Sequence, residues 1–191
     1  MGNREDLLAG ARKCLLERGY ANTTARDIAQ AAGVSLAAIG YHFGSKEQLL
    51  TEALTDAVGE GIGDALEARI REAGADKPLP QAFSETWRGI EELLSTNREA
   101  MVASMENLLR VYRSGESREL MGRMTELGIG DLAQMLRDTH DGLDERQARA
   151  VAELYFVLLN GFAVLWFMNP DARLPSSDSL ALAVRALAGG A

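Results

Sequence analysis

Between Asp144 and Pro170 the chain carries a segment that few small folds accommodate. Glu145 to Asn169 begins amphipathic, then turns apolar on every face with Leu154, Tyr155, Phe156, Val157, Leu158, Leu159, Phe162, Val164, Leu165, Trp166 and Phe167. Asp144 is a good N-cap and Pro170 a good stop, so the segment reads as one helix. A helix that is apolar all round must be covered on all sides. Its uncharged stretch, Leu154 to Pro170, is 17 residues long and interrupted by Asn160, short of the roughly 20 apolar residues a membrane span needs. The cover is therefore expected from protein. Five or six body helices cover one side, and a second subunit is the natural cover for the other. Leu154, Leu158, Phe162, Leu165 and Trp166 are the expected dimerisation residues, joined by a terminal helix near Leu180–Leu187. A central helix enclosed by its own chain is the competing reading.

The remainder is helical too. No stretch alternates with period two, and prolines number only 4 in 191 residues, so the fold class is all-α. A first helix runs from the N-cap Asn3 to the stop at Gly19, with Leu7, Leu8, Ala11, Cys14 and Leu15 on one face. Thr23 and Thr24 offer N-cap hydroxyls for a short second helix ending near Ala32. Gly33 breaks it, and Ser35 is placed to cap a third, Leu36 to about His42. Ser45 and Gln48 form a capping box for a fourth, which continues to about Ala73. Gly74 to Pro80 is the next clear break. Beyond it the pattern predicts helices near 81–95, 98–113, 117–140, 144–169 and 178–188.

Charge is divided unevenly. Residues 1–50 hold six bases (Arg4, Arg12, Lys13, Arg18, Arg26, Lys46) and five acids (Glu5, Asp6, Glu17, Asp27, Glu47), net +1, whereas the rest holds 14 and 23, net −9. The first fifty residues can approach a phosphate backbone that repels the rest. The charged N-terminus lacks the apolar stretch of a secretion signal, and a single cysteine excludes a disulfide framework. A cytoplasmic protein with no membrane association is expected. His42 and His140 have no evident nucleophile partner, and no phosphate loop, paired-cysteine or His-x3-His spacing appears. We therefore expect no enzyme activity, no catalytic residues, no cofactor and no metal.

Residues 24–43 have the arithmetic of a helix-turn-helix. Two short helices that cross closely need a small residue at the contact, Ala29, and a turn residue tolerant of positive φ four positions on, Gly33. Ile28, Val34 and Ile39 fall where a small shared core needs apolar side chains, leaving the second helix free for a major groove. With Thr23-Thr24 before it and Tyr41-His42-Phe43-Gly44-Ser45-Lys46-Glu47 after it, residues 4–54 resemble the DNA-binding domain of the TetR family of bacterial transcriptional regulators. Gly19-Tyr20, Asp27-Ile28-Ala29 and Ala32-Gly33-Val34-Ser35 belong to the same resemblance, which reaches weakly into Leu158 to Phe162, Trp166 and Pro170.

The resemblance implies a three-helix DNA-binding domain at 1–50, joined by a long helix to a ligand-binding and dimerisation domain at 51–191. It implies a homodimer on pseudo-palindromic operator DNA, most often a repressor, released by a small-molecule effector. Thr24, Tyr41, His42 and Lys46 are the expected phosphate contacts. Ser35, Leu36, Ala37 and Ala38 are expected to face base edges, with hydrogen bonding from Ser35 and apolar contact from the others. Gly40 stands where most family members carry an aromatic ring, and it removes one contact from the recognition helix.

For the effector, Trp87, Met101, Met105, Tyr112, Met124, Phe156 and Asn160 are the candidates, with Phe83, Met121, Met135, Arg110 and Arg113 as further possibilities. Methionine and aromatic side chains suit irregular apolar ligands, although such residues at helical spacing are more often core. The effector's identity is not readable from the sequence. The alternative function is a helical ligand-binding or protein-interaction scaffold without DNA readout.

Overall fold

The computed structural model describes residues 3–74, 77–169 and 173–187, without the side chains of 109, 110 and 116. Pro170 as helix stop, Ala188 at the end of the terminal helix, and the Arg110 side chain lie outside the described residues. Every regular element among the described residues is a helix. In order they are α1 (Asn3–Arg18), α2 (Ala25–Ala32), α3 (Ala37–Phe43), α4 (Lys46–Val58), a π-helical turn (Gly59–Gly63), α5 (Asp64–Gly74), α6 (Leu79–Thr86), α7 (Ile90–Thr96), α8 (Arg98–Arg113), α9 (Gly115–Thr139), α10 (Glu145–Met168) and α11 (Ser177–Leu187).

Two differences from the sequence reading have local causes. The helix expected over 81–95 is two short ones, α6 and α7, because Gly89 takes φ 74 and breaks the run. Ser35 does not cap α3: the N-cap position is Leu36, which makes no side-chain cap bond. The Ser35 and Leu36 carbonyls instead accept from Ala38 and Ile39 N–H in i→i+3 turns.

Packing divides the chain into two units. The first is the chain up to Gly61 together with Asn97–Thr125. Its core is Leu7, Ala11, Cys14, Leu15, Tyr20, Ile28, Ile39, Phe43, Leu49, Leu50 and Leu54, with Ala103 of α8 packed among them. A buried pair, Thr51 of α4 and Asn107 of α8, joins side chains at 3.4 Å, and Tyr20 N–H donates to the Glu106 carboxylate at 3.3 Å. Where α1 and α2 approach, a methyl on Gly10 would lie 2.9 Å from the Ala32 amide nitrogen and 3.1 Å from the Ile28 carbonyl. Backbone cannot give way cheaply, so Gly10→Ala is expected to lower unfolding free energy by about 1–3 kcal/mol in a chemical-denaturation curve.

The second unit is Ile62–Thr96 together with the chain from Glu126 onward. α10 begins with a full capping box, in which Gln147 N–H donates to Asp144 at 2.7 Å and Asp144 N–H to the Gln147 side chain at 3.0 Å. It buries Ala148, Ala152, Tyr155, Phe162, Ala163 and Trp166. Its other face shows Leu154, Val157, Val164, Leu165 and Met168, from 44% to 78% exposed. By length and composition α10 could cross a bilayer. The charged first turns (Glu145, Arg146, Arg149, Glu153) and the one-sided burial are those of a core helix with an uncovered flank.

Candidate nucleic-acid interface

The second and third helices are held by the pattern that the sequence required. Ile28, Ala29, Ile39 and Phe43 are buried, and Gly33 closes α2 in the left-handed region at φ 68. Across the helix, Ser35, Leu36, Ala37, Gly40 and Tyr41 are all exposed, with Leu36 at 48% and Tyr41 at 84%. Positions 37, 40 and 41 share one face of a helix, so these residues present one surface. Ala38 does not belong to it. It is 8% exposed and turned into the core beside Ile39, which corrects its expected place against base edges.

The flanking contacts are more engaged than the sequence suggests. Asp27 N–H donates to the Thr24 hydroxyl at 3.2 Å, while Thr24 donates both its N–H (3.0 Å) and its hydroxyl proton (2.6 Å) to the Asp27 carboxylate. Those bonds from Thr24, the hydroxyl first, and then Arg18 hold the Asp27 carboxyl below its ordinary range. Thr24 is therefore exposed but already spends its proton, and a phosphate would compete with Asp27 for it. Ser45 accepts from Gln48 N–H at 3.1 Å and caps α4. Lys46, next along, gives one of its three donors to the Thr23 carbonyl at 3.2 Å and stands 3.7 Å from Glu47. His42 is half-buried, with its ring edge-on to Tyr41 at 4.8 Å.

Counting charges overstated the free cations on this unit. Arg4 pairs with Glu52 and lies over the Phe43 ring, Arg12 pairs with Glu60, and Arg18 with Asp27. Lys13 and Arg26 are exposed. One basic residue lies outside the stretch that the motif covers. Arg123 of α9 lines a cleft of about 210 Å³ with His42, Phe43, Gly44 and Gln48, and no local signal marked it because it lies about eighty residues away.

Gly40 has nothing within 4 Å of where a methyl would sit, and it lies inside α3 rather than at a cap. Gly40→Ala is expected to stabilise the fold by about 1 kcal/mol, a rise of roughly 2–4 °C in a thermal melt for a chain of this length.

The remaining site expectations concern the other elements. Met101, Met105, Tyr112 and Met124 belong to the first unit, and Trp87, Phe156 and Asn160 to the second. Tyr112 is 75% exposed, which corrects its expected place among the lining of an effector cavity. Met101 and Trp87 are buried, Met105, Met124 and Phe156 half-buried, and exposed Asn160 donates to the Phe156 carbonyl at 2.8 Å. A groove of about 680 Å³ in the second unit is lined by other residues, Arg137, Asp144, Arg146 and Arg149 among them. Of the dimerisation residues, Leu154 and Leu165 are exposed and Leu158 half-buried. Phe162 and Trp166 are 3% and 6% exposed. They are committed to their own core, a correction to the expectation that they face a partner.

With this geometry in view, residues 7–53 match the family model for bacterial regulatory proteins of the tetR family. The chain is 37% identical over 147 residues to the transcriptional repressor KstR2 of Rhodococcus jostii, covering 72% of this chain and 67% of that protein. It is 45% identical over 49 residues to the repressor AcnR of Corynebacterium efficiens, covering 26% of each; the match thus spans about a quarter of that relative's length. Among solved structures, the TetR family repressor AlkX from a Dietzia species aligns with a TM-score of 0.63 at 20% identity, covering 96% of this chain and 91% of that one. The helix-turn-helix geometry, the family match and the long KstR2 alignment agree: this chain belongs to the TetR family of bacterial regulatory proteins.

Proposed function

We propose that the chain is a ligand-responsive transcriptional regulator, a repressor that leaves its operator when a small effector binds. Residues 1–50 read DNA, and 51–191 carry effector binding and dimerisation. The observation that carries this reading is the surface of Ser35, Leu36, Ala37 and Tyr41, open on a helix anchored from behind by Ala38, Ile39 and Phe43. Tyr41, His42 and Lys46 contact phosphates, with Thr24 joining by exchanging its bond to Asp27. The three side chains left to face the bases, Ser35, Leu36 and Ala37, offer one hydroxyl and otherwise apolar contact, so much of the affinity is electrostatic or shape-dependent.

The protein works as a homodimer through the uncovered flank of α10 (Leu154, Val157, Leu158, Leu165) and exposed Leu182 and Leu187 of α11. An exposed apolar helix flank of this kind marks an interaction surface. Two-fold symmetry then matches a pseudo-palindromic operator with half-sites about 34–36 Å apart or a multiple of it. Such a regulator works where the chromosome is, in the cytoplasm. Mobility-shift assays on the DNA upstream of its own gene test the reading. A salt-sensitive shift absent on scrambled duplex is expected; equal shifts on both contradict it.

A further inference from the structure

The second unit holds an aromatic cluster around one buried donor that has no partner among the described residues. Trp87 is 1% exposed, and its indole Nε1 has no hydrogen-bond partner among the described residues. Tyr155 and Phe162 stand seven residues apart on the buried face of α10, about 10.5 Å along its axis. The indole ring lies 5.3 Å from Tyr155 at 21° and 5.2 Å from Phe162 at 37°, so it is slotted between them. Phe83 meets Tyr155 edge-on at 5.1 Å and Trp87 at 6.2 Å. The Tyr155 hydroxyl bonds Thr86 at 3.3 Å, and Thr86 bonds the Ala82 carbonyl at 3.0 Å, so that branch is satisfied. Burial pushes the Tyr155 phenol up to about 12, which keeps it neutral.

A buried indole N–H nearly always finds an acceptor. Here it stays alone in the break between α6 and α7, next to the turn at Gly89 rather than inside a regular helix. We propose that this cluster is the effector seat, and that it takes a planar, uncharged molecule whose carbonyl-type oxygen accepts the Trp87 Nε1–H bond. The inference rests on the proposed reading that 51–191 bind an effector, and it names the ligand's chemistry. Tyr155 and Phe162 already cover both faces of the indole, so a partner meets Trp87 at its Nε1 edge, in the plane of the ring, and must be flat to continue that slot. Phe83, Thr86, Trp87, Tyr155 and Phe162 carry no charge, so an ionised ligand would lose its hydration without compensation. A lone donor selects an acceptor, and discriminates against an analogue that lacks one.

The test uses three probes of one skeleton: 9-fluorenone, fluorene and fluorene-9-carboxylate, titrated into the full chain by thermal shift. Fluorenone is expected to bind about tenfold tighter than fluorene, one hydrogen bond's worth, and the carboxylate weakest. In Trp87→Phe, which keeps a ring and removes the donor, the two neutral probes should bind within about twofold of each other. A second measurement needs no substitution at Trp87. In the ¹H–¹⁵N spectrum of the intact protein, assigned with Trp166→Phe, the Trp87 indole proton should move downfield with fluorenone and not with fluorene. Equal binding of the neutral probes by the intact protein, tighter binding of the carboxylate, or an unmoved Trp87 proton overturns the inference. Operator binding in the same preparation separates the failures. If the protein shifts its operator while fluorenone and fluorene bind alike, this inference falls alone; if it shifts no duplex, the regulator reading falls whatever the probes do.

Discussion

Replacing Tyr41 and Lys46 by alanine together lowers operator affinity by about 100-fold at low salt, the sum of two phosphate contacts worth roughly tenfold each. The two contributions separate in the salt dependence. On the proposed contacts Lys46 displaces a counterion and Tyr41 does not, so Lys46→Ala is expected to flatten the slope of log affinity against log salt by about 0.9, and Tyr41→Ala to shift the line without tilting it. Neither change threatens the fold. Tyr41 is 84% exposed, and Lys46 loses one bond to the Thr23 carbonyl, about 1 kcal/mol. Fluorescence anisotropy across a salt series reads both quantities. Unchanged affinity and slope would remove these residues from the interface.

If the proposed homodimer pairs through the open flank of α10, glutamate at both Leu154 and Leu165 is expected to convert it to monomer and to lower operator affinity by two orders of magnitude or more. Both side chains stand half open on the protomer, at 44% and 47%, so each tolerates a charge while alone and buries one on pairing. Two half-sites bound by separate monomers lose the gain from effective concentration, which a linked pair provides without new contacts. Sedimentation velocity should show the change in mass with helical content retained by circular dichroism. A variant that stays dimeric would place the interface elsewhere. Phe162→Glu and Trp166→Glu are the instructive contrast, because those residues are buried within the protomer and their loss unfolds it.

Local signals carried most of the reading. Caps and breakers are short-range, so Asp144, Gly33 and Ser45 marked element ends that the structure reproduces, and α8 occupies 98–113 as its periodicity implies. The break between α6 and α7 was missed because one glycine after Trp87 is a weak signal unless its φ is known. Ala38 was misread because small residues carry little periodic weight, and only the seating of α3 decides which alanine turns inward. Phe162 and Trp166 could not be separated from Leu154 and Leu165 in a segment apolar all round; the core flank is the one that meets Phe83 and Trp87, which lie about seventy residues away. The paired state of Arg4 and Arg12 was equally hidden, since Glu52 and Glu60 lie 48 residues further on.

Selection of genomic fragments by the purified full chain shows whether α3 lodges in a duplex. Recovered fragments should share a two-fold motif with half-sites about one helical turn or a multiple apart. They should bind two protomers saturably, with affinity falling log-linearly as salt rises. Recovered fragments that bind no better than random ones at low salt would mean that α3 reads no DNA.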